Sequence, residues 1–514
     1  MKELYTTRVK EFFLLNRKKW KLSEQRKLKV LIETISPIPS YLINASILGI
    51  NIAKKNNCQP VFLLNDQKSE FCEQEVVCNS FGIYEKIIIK KSNIYGWNLF
   101  RAIFSVLILY TRCFSLKSFL LYSTYNIKVG DLFYDTFIRS KNRYKHFSIY
   151  NPIFIISTVK YFYTFWRLKN IIKKDNINSV ILSHRVYLNG GLISRFANKN
   201  DIDVYIVRLT SIRKYTANDS IYQNEFRPSN DLIDLIKENE LYLKIDDYLE
   251  KRFNGQIDQH DVINAFKNKQ NLEKDLFKKL HKINNNKPIV TIFPHAFSDA
   301  PHCNEEMLFN DYYSFFKQTI KFANKITNVN WLVKPHPSSY MYGEVGEVEK
   351  MIKKYSNLNL LDSSVSTKTV LSFSENIITV SGTVGLEFSC LGKKPIIAGH
   401  SVYSGFNIAL EPKNMISYKK ILSNLTDSFE LSPDELIIAK SVMYWYHIGA
   451  FPKSSFLPVK TALPNMDSDE IIAQKIEQIE EINYKLENGY EFNEQYFESQ
   501  KAFVSKGSKY FKSF

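Results

Sequence analysis

From Trp331 to Asn407 short apolar runs alternate with helical periodicity, and the polar residues of this stretch collect where the apolar runs end. The clusters are Lys334-Pro335-His336-Pro337, Ser381-Gly382-Thr383-Val384-Gly385-Leu386-Glu387 and Gly399-His400-Ser401-Val402-Tyr403-Ser404-Gly405. Buried parallel strands read as continuous hydrophobic runs and need helical crossovers, so this beat restricts the region to a doubly wound α/β sheet. In such sheets ligands bind beyond the carboxyl ends of the strands, where helix N-termini offer N–H groups and a positive dipole end. A phosphorylated ligand is implied.

The same beat extends in both directions. Strands are expected at Lys29–Ile35, Pro60–Leu64, Lys86–Ile89, Ser179–Leu182 and Val204–Val207 in one half, and at Pro288–Phe293, Trp331–Val333, Leu358–Leu361, Asn376–Val380 and Pro395–Ala398 in the other. Ser211 to Lys287 reads as polar helical connection. The expectation is an α/β protein of two Rossmann-like, doubly wound domains facing a cleft. The N-terminal domain, 1–285, carries a helical insertion and the acceptor side, and 286–440 forms the second domain. A helical segment, 441–514, packs across the junction.

At 514 residues, 45% hydrophobic and 24% charged, the chain can bury two cores. Six scattered cysteines form no CxxC pair, which fits a reducing cytoplasm. The charged stretch Met1–Lys29 lacks a signal-peptide pattern, and the most apolar segment, Ala102–Thr111, is far short of the ~20 residues that cross a bilayer. The formal charge of +17 comes from lysines spread along the chain without an Arg-rich stretch, so nucleic acid is not expected as a partner. An anionic membrane surface or an anionic substrate suits the charge. Trp97–Tyr125, where aromatic and aliphatic residues mix with Arg101, Arg112 and Lys117, is either a membrane contact or a buried helical pair.

Several constellations could carry chemistry. In Lys334-Pro335-His336-Pro337 the prolines hold Lys334 and His336 extended at a strand end, His336 can donate to a phosphate oxygen, and Ser338 could cap the next helix. Ser381-Gly382-Thr383 joins a strand to a helix with hydroxyls and a glycine that lets an anion approach the backbone. No lysine comes next as in a Walker loop, and the spacing is not GxGxxG. Glu387 could accept from ribose hydroxyls or act only on the helix dipole. His295 comes after the first strand of this half. His295, His302, His336 and His400 come from different loops without metal-ligand spacing, so no metal is expected. In the other half Asp131 and Asp135 lie beyond Gly130, four residues apart on one helical face, as a base or nucleophile or as a cap and a salt bridge. Ser183-His184-Arg185 ends a strand, so His184 and Arg185 could meet an anionic substrate.

At these residues the chain resembles bacterial capsule and surface-polysaccharide biosynthesis proteins, and more distantly the capsule Kdo transferases of GT-B fold. Lys334-Pro335-His336-Pro337 is similar to the His-Pro motif of GT-B transferases that use CMP-activated acidic sugars, and Ser381-Gly382-Thr383 to their phosphate motif. The run Thr383–Glu387 with Gly392–Ile397 and Tyr403-Ser404-Gly405 resembles the capsule group's longer signature. Gly130–Asp135 and the strand ending at His184 are the family-like parts of the first half. The resemblance implies a metal-independent glycosyltransferase without a cofactor. Its donor is a nucleotide sugar held by His295, Lys334, His336, Ser338, Ser381, Gly382, Thr383 and Glu387. Its acceptor is a glycan or glycolipid met by His184, Arg185 and Tyr403 and activated by Asp131 or Asp135. A cytoplasmic protein, peripheral at the inner face of the membrane, is expected. A teichoic-acid-type polyol-phosphate transferase and a noncatalytic nucleotide-sugar-binding partner are the alternatives.

Overall fold

Among the described residues, the strands of the N-terminal half are β1 (Lys29–Glu33), β2 (Gln59–Asn65), β3 (Lys86–Ile89), β4 (Ser123–Thr124), β5 (Ile127–Lys128), β6 (Ile177–Leu182), β7 (Asp203–Val207) and β8 (Ile212–Tyr215). The second half has β9 (Ile289–Ile292), β10 (Asn330–Val333), β11 (Leu358–Leu360), β12 (Asn376–Thr379) and β13 (Ile396–Ile397). The computed structural model describes residues 1–18, 20, 26–35, 39–65, 72–89, 96–140, 143–145, 147–208, 212–222, 227–257, 265, 266, 268–304, 307–425, 428–449, 457, 468–489 and 494–506.

The chain divides into two units, Met1–Phe137 with Ser148–Gln223 and Ala450–Phe514, and Ile138–Phe147 with Asn224–Gly449. This corrects the expected boundaries. Residues 224–285 belong to the second unit and not to the first, because helices such as Lys244–Phe253 bury Ile245, Leu249 and Phe253 in the second core. Residues 450–514 belong to the first unit and are not a separate domain. There the helix Ser468–Glu487 buries Ile476, Ile479 and Ile482 in the same core as Val9 and Phe12 of the helix Lys2–Arg17.

In the first unit the sheet order is β3-β2-β1-β6-β7-β8, parallel except for the antiparallel edge strand β8. The helix Pro39–Asn56 is buried on nearly every side and lies against β1, where a side chain at Gly49 would come within 2.6 Å of Ile32. In the second unit the order is β11-β10-β9-β12-β13, all parallel. Its three central strands, Ile289–Ile292, Asn330–Val333 and Asn376–Thr379, are buried at every residue, as expected of strands covered on both faces. Trp331 is fully buried, and its indole N–H donates to the Ile326 carbonyl at 3.0 Å, which satisfies the one polar atom it takes inside.

Both orders have the doubly wound pattern, in which the chain starts at the centre, builds to one edge, returns and builds to the other. The reversal falls between β1 and β6 in the first unit and between β9 and β12 in the second. At each reversal the two outgoing connections leave on opposite faces and open a crevice at the strands' carboxyl ends. Two Rossmann-like units in one chain make the fold GT-B-like.

Candidate active site

The second unit's reversal point carries the sequence motifs. After β9 the chain runs through Phe293 and Pro294 to His295, and after β12 through Val380 to Ser381 and Gly382. The Ser381 N–H donates to Nε2 of His295 at 3.2 Å, which ties the two loops together across the crevice. His295 stacks on Tyr312, ring centres 4.3 Å apart, and lies nearly parallel to His336 with centres at 6.2 Å. His336, from the loop after β10, accepts the Ser338 N–H on Nδ1 at 3.2 Å.

These bonds assign the tautomers. With Nδ1 of His336 accepting, a neutral ring carries its proton on Nε2, and His295 carries its own on Nδ1. Burial pushes the His336 imidazole down to about 4 and, with His336 as a like neighbour, that of His295 to about 3. Both rings are therefore neutral at pH 7, and His336 presents a neutral donor.

The backbone at 381–382 is held on three sides. Besides the His295 bond, Ser401 donates its hydroxyl to the Ser381 carbonyl at 3.1 Å, and the fully buried Tyr403 donates to the Gly382 carbonyl at 2.8 Å. Gly385 makes room for that tyrosine, since a Cβ there would lie 2.1 Å from its hydroxyl oxygen. The helix Thr383–Cys390 starts at Gly382 without a side-chain cap, whereas Asp311, Ser366, Asn414 and Ser432 cap other helices of this unit. Its first-turn N–H groups and positive end face the loop held by His295, an arrangement suited to an anion. Arg227 adds a cation at the carboxyl edge of the sheet, its guanidinium 3.1 Å from Nε2 of His400 after β13.

Three other expected donor contacts, Glu387, Lys334 and Ser338, and the expected acceptor contact Tyr403 serve the framework. Glu387 is 2% exposed, and Arg252 donates to it at 2.9 Å, so a ribose would have to break a buried ion pair to reach it. Lys334 is also buried, its ammonium donating to the Val365 carbonyl at 2.5 Å, and burial with the nearby Lys269 lowers it to about 8. Tyr403 props Gly382 and is not placed to touch a sugar. Ser338 acts through its backbone, since its side chain caps nothing in the short helix Ser339–Tyr342.

In the first unit the reversal point joins Glu33, the last residue of β1, to Ser183 after β6, whose hydroxyl donates to the carboxylate at 3.3 Å. Glu33 also accepts the Ile35 N–H at 2.6 Å. His184 is next in the chain, partly exposed, and Gly190 lets the next helix begin beside it, since a Cβ there would lie 2.4 Å from the His184 carbonyl. Tyr187 sits at φ 56 and ψ −175, a glycine region that costs another residue about 1–3 kcal/mol. Strain of that kind persists where the surroundings fix a loop.

The carboxylates chosen from sequence sit elsewhere. Both oxygens of Asp131 accept from Arg195, at 2.7 and 2.8 Å, with both side chains buried. A carboxylate held in this fork is a poor base, and this corrects its catalytic assignment. Asp135, one turn on, is 2% exposed. Arg185 is likewise built in, donating Nε to Ser194 at 3.0 Å and packing over Tyr215 at 3.8 Å, so it is not an acceptor contact. Glu33, closing the apolar run Val30-Leu31-Ile32, was detectable from sequence. The partners Arg195 and Arg252 carry no local signal. Nor does Glu344, which accepts from the N–H groups of Phe297 and Ser298 and so secures the loop bearing His295.

No protein-family model and no curated protein matches the chain. Among solved structures it is similar to the KpsC β-Kdo 2,4 transferase of Thermosulfurimonas dismutans, with 14% identity, 60% of this chain and 94% of that chain covered, and a TM-score of 0.36. A glycosyltransferase of Rickettsia africae ESF-5 shares 12% identity over 94% of this chain and 100% of that one, with a TM-score of 0.25. The UDP-GlcNAc 2-epimerase of Neisseria meningitidis, bound to UDP-GlcNAc, shares 11% over 90% and 100%, with a TM-score of 0.21.

Two outcomes test this geometry. An imidazole held below its ordinary value of about 6.5 contributes stability that is complete above that pH and is lost as pH falls through the folded value. The melting temperature should therefore fall from pH 7 through the window ending near 4 for His336 and near 3 for His295. The variants His295→Gln and His336→Gln should flatten that fall, and an unchanged slope in both would contradict the burial described. Separately, Asp131→Ala should lower unfolding stability by about 3–5 kcal/mol by leaving Arg195 buried and unpaired, and Asp131→Ala with Arg195→Met should recover part of it in urea titrations.

Proposed function

We propose that the chain is a glycosyltransferase of bacterial surface-polysaccharide biosynthesis that moves a sugar from a nucleotide donor to a glycan or glycolipid. It would use neither metal nor cofactor. The reading is carried by the tie between His295 and Ser381 at an uncapped helix N-terminus, with the His336 ring centre 6.2 Å from that of His295. Breaking the sugar–phosphate C–O bond leaves negative charge on the phosphate oxygen, and donors fixed in advance stabilise that charge without reorganising. Thr383 adds its hydroxyl and first-turn N–H, and Arg227 a formal positive charge.

The acceptor hydroxyl must lose a proton as its oxygen attacks the sugar carbon. With Asp131 committed to Arg195, we place the base at His184, in the first unit's reversal crevice, with Glu33 and Ser183 fixing its loop. The likeness of Lys334-Pro335-His336-Pro337 to the His-Pro motif supports a CMP-activated acidic sugar such as Kdo as donor. A cytoplasmic, peripheral position at an anionic membrane completes the reading.

Nucleotide-dependent thermal shifts test the donor site, because a ligand of the folded state raises its apparent stability. CMP should stabilise the wild type and fail to stabilise His336→Ala. A CDP preference would favour polyol-phosphate transfer, and no response to CMP, CDP, UDP or GDP would overturn the donor site. For the base, His184→Gln should retain the nucleotide response and lose turnover by about 10²–10⁴-fold. Normal turnover in that variant with loss in Asp135→Asn would move the base to the helix Gly130–Arg139.

A further inference from the structure

The helix Trp97–Arg112 has two apolar faces. At 100° per residue its buried residues Ala102, Ser105, Val106 and Leu109 fall within roughly 100° of one another, against the helix Pro152–Lys174. Trp97, Phe100, Ile103, Phe104 and Leu107 fall within a second arc of roughly 120°. These five are 65, 58, 46, 56 and 61% exposed, although large apolar side chains gain by leaving water. Phe114, Leu121, Ile153 and Ile156 are also exposed, as is Tyr150, which packs on Tyr110 of the same helix.

Between the two faces runs a basic groove of about 470 Å³, whose described lining includes Arg101, Arg112, Phe104, Tyr125 and Trp166 and no acidic residue. Arg101 lies over the Trp166 ring at 4.6 Å, and Lys169 over Tyr125 at 3.4 Å. Burial, then Arg101, Lys199 and Lys173 as like charges, lower the Lys169 ammonium below its ordinary value. Arg112, the last residue of the helix, and Lys117, five residues on, are both exposed. Positive charge is thus concentrated beside exposed hydrocarbon and aromatic rings, without an acid in the groove's described lining to neutralise it.

We infer that this face docks on an anionic phospholipid bilayer, with the exposed stripe lying in the interface and lipid phosphates received by the groove. Aromatic residues favour that depth, and a helix with one face apolar and basic flanks lies in the plane of the membrane. No helix among the described residues is long and apolar enough to cross. The inference gives the peripheral-membrane part of the proposed function a place on the molecule and is independent of the transfer chemistry.

The test is flotation of the full chain with phosphatidylcholine vesicles, with and without roughly a third phosphatidylserine, beside the CMP response. Binding is expected to the anionic vesicles and to fall with salt. The pair Phe104→Glu with Leu107→Glu should lower it by tenfold or more (about 1.4 kcal/mol per tenfold) with an unchanged melting temperature, since both side chains are exposed. Arg112→Gln with Lys117→Gln should lower it by roughly fivefold per charge, and both pairs should keep the CMP response. Equal binding to neutral vesicles, no binding, or a dimer in light scattering that Phe104→Glu disperses would each overturn the inference. A CMP response without vesicle binding defeats the docking alone, and vesicle binding without a CMP response defeats the transfer reading alone.

Discussion

The hydrogen bond from the Ser381 N–H to His295 depends on the chain's order of winding. β9 is laid down first and β12 arrives beside it only after β10 and β11 have filled the other side, so the loops after β9 and β12 leave on opposite faces. Such loops part unless something joins them, and His295 joins them with a single acceptor. For that the ring must be neutral, and burial against Tyr312 keeps it so. The small residues answer to the same arrangement: a Cβ at Gly382 would lie 3.0 Å from the Thr379 hydroxyl, and one at Gly385 would displace Tyr403.

Several charged side chains singled out in the sequence are committed to the framework. Glu387 pairs with Arg252, Asp131 with Arg195, and Lys334 donates to backbone carbonyls. Removing one member of such a pair costs far more than the pair contributes, which makes these residues intolerant of change without making them chemical. Among the described residues, the second unit's reversal point offers a ligand neutral imidazole, hydroxyl and backbone N–H, with Arg227 at the edge. Neutral donors bind an anion without first being drawn from a partner of their own. A helix start equivalent to about half a positive charge supplies the attraction.

The strands and loop motifs were legible because they depend on local pattern. Ile289–Ile292, Asn376–Thr379 and the turns after them are written as apolar runs closed by Pro, Gly, Ser or His. The edge strand β8 was not: Ile212-Arg213-Lys214-Tyr215 has two apolar residues in four, and tertiary pairing with β7 decides its state. The unit boundary was misplaced for a related reason, since a polar helical stretch does not reveal which core its few apolar residues enter. Nor could sequence show that Asp131 meets a residue 64 positions away, or Glu387 one 135 away. A carboxylate on an inviting helix face reads the same whether or not an arginine from elsewhere has already taken it.

The helix Trp97–Arg112 shows the same ambiguity resolved the other way. Its sequence suits both a buried helical pair and a membrane-surface helix, because it is apolar over two arcs. Packing on the helix Pro152–Lys174 takes one arc and fixes the axis, and the Trp166 N–H donating to Ser105 at 3.2 Å fixes its rotation. The second arc is then turned outward by the first, and it cannot be buried without a partner. Net charge could not have located that surface, since lysines are spread along the whole chain. Cations matter where hydrocarbon stands beside them, and in this unit the groove walled by Arg101 and Arg112 brings the two together.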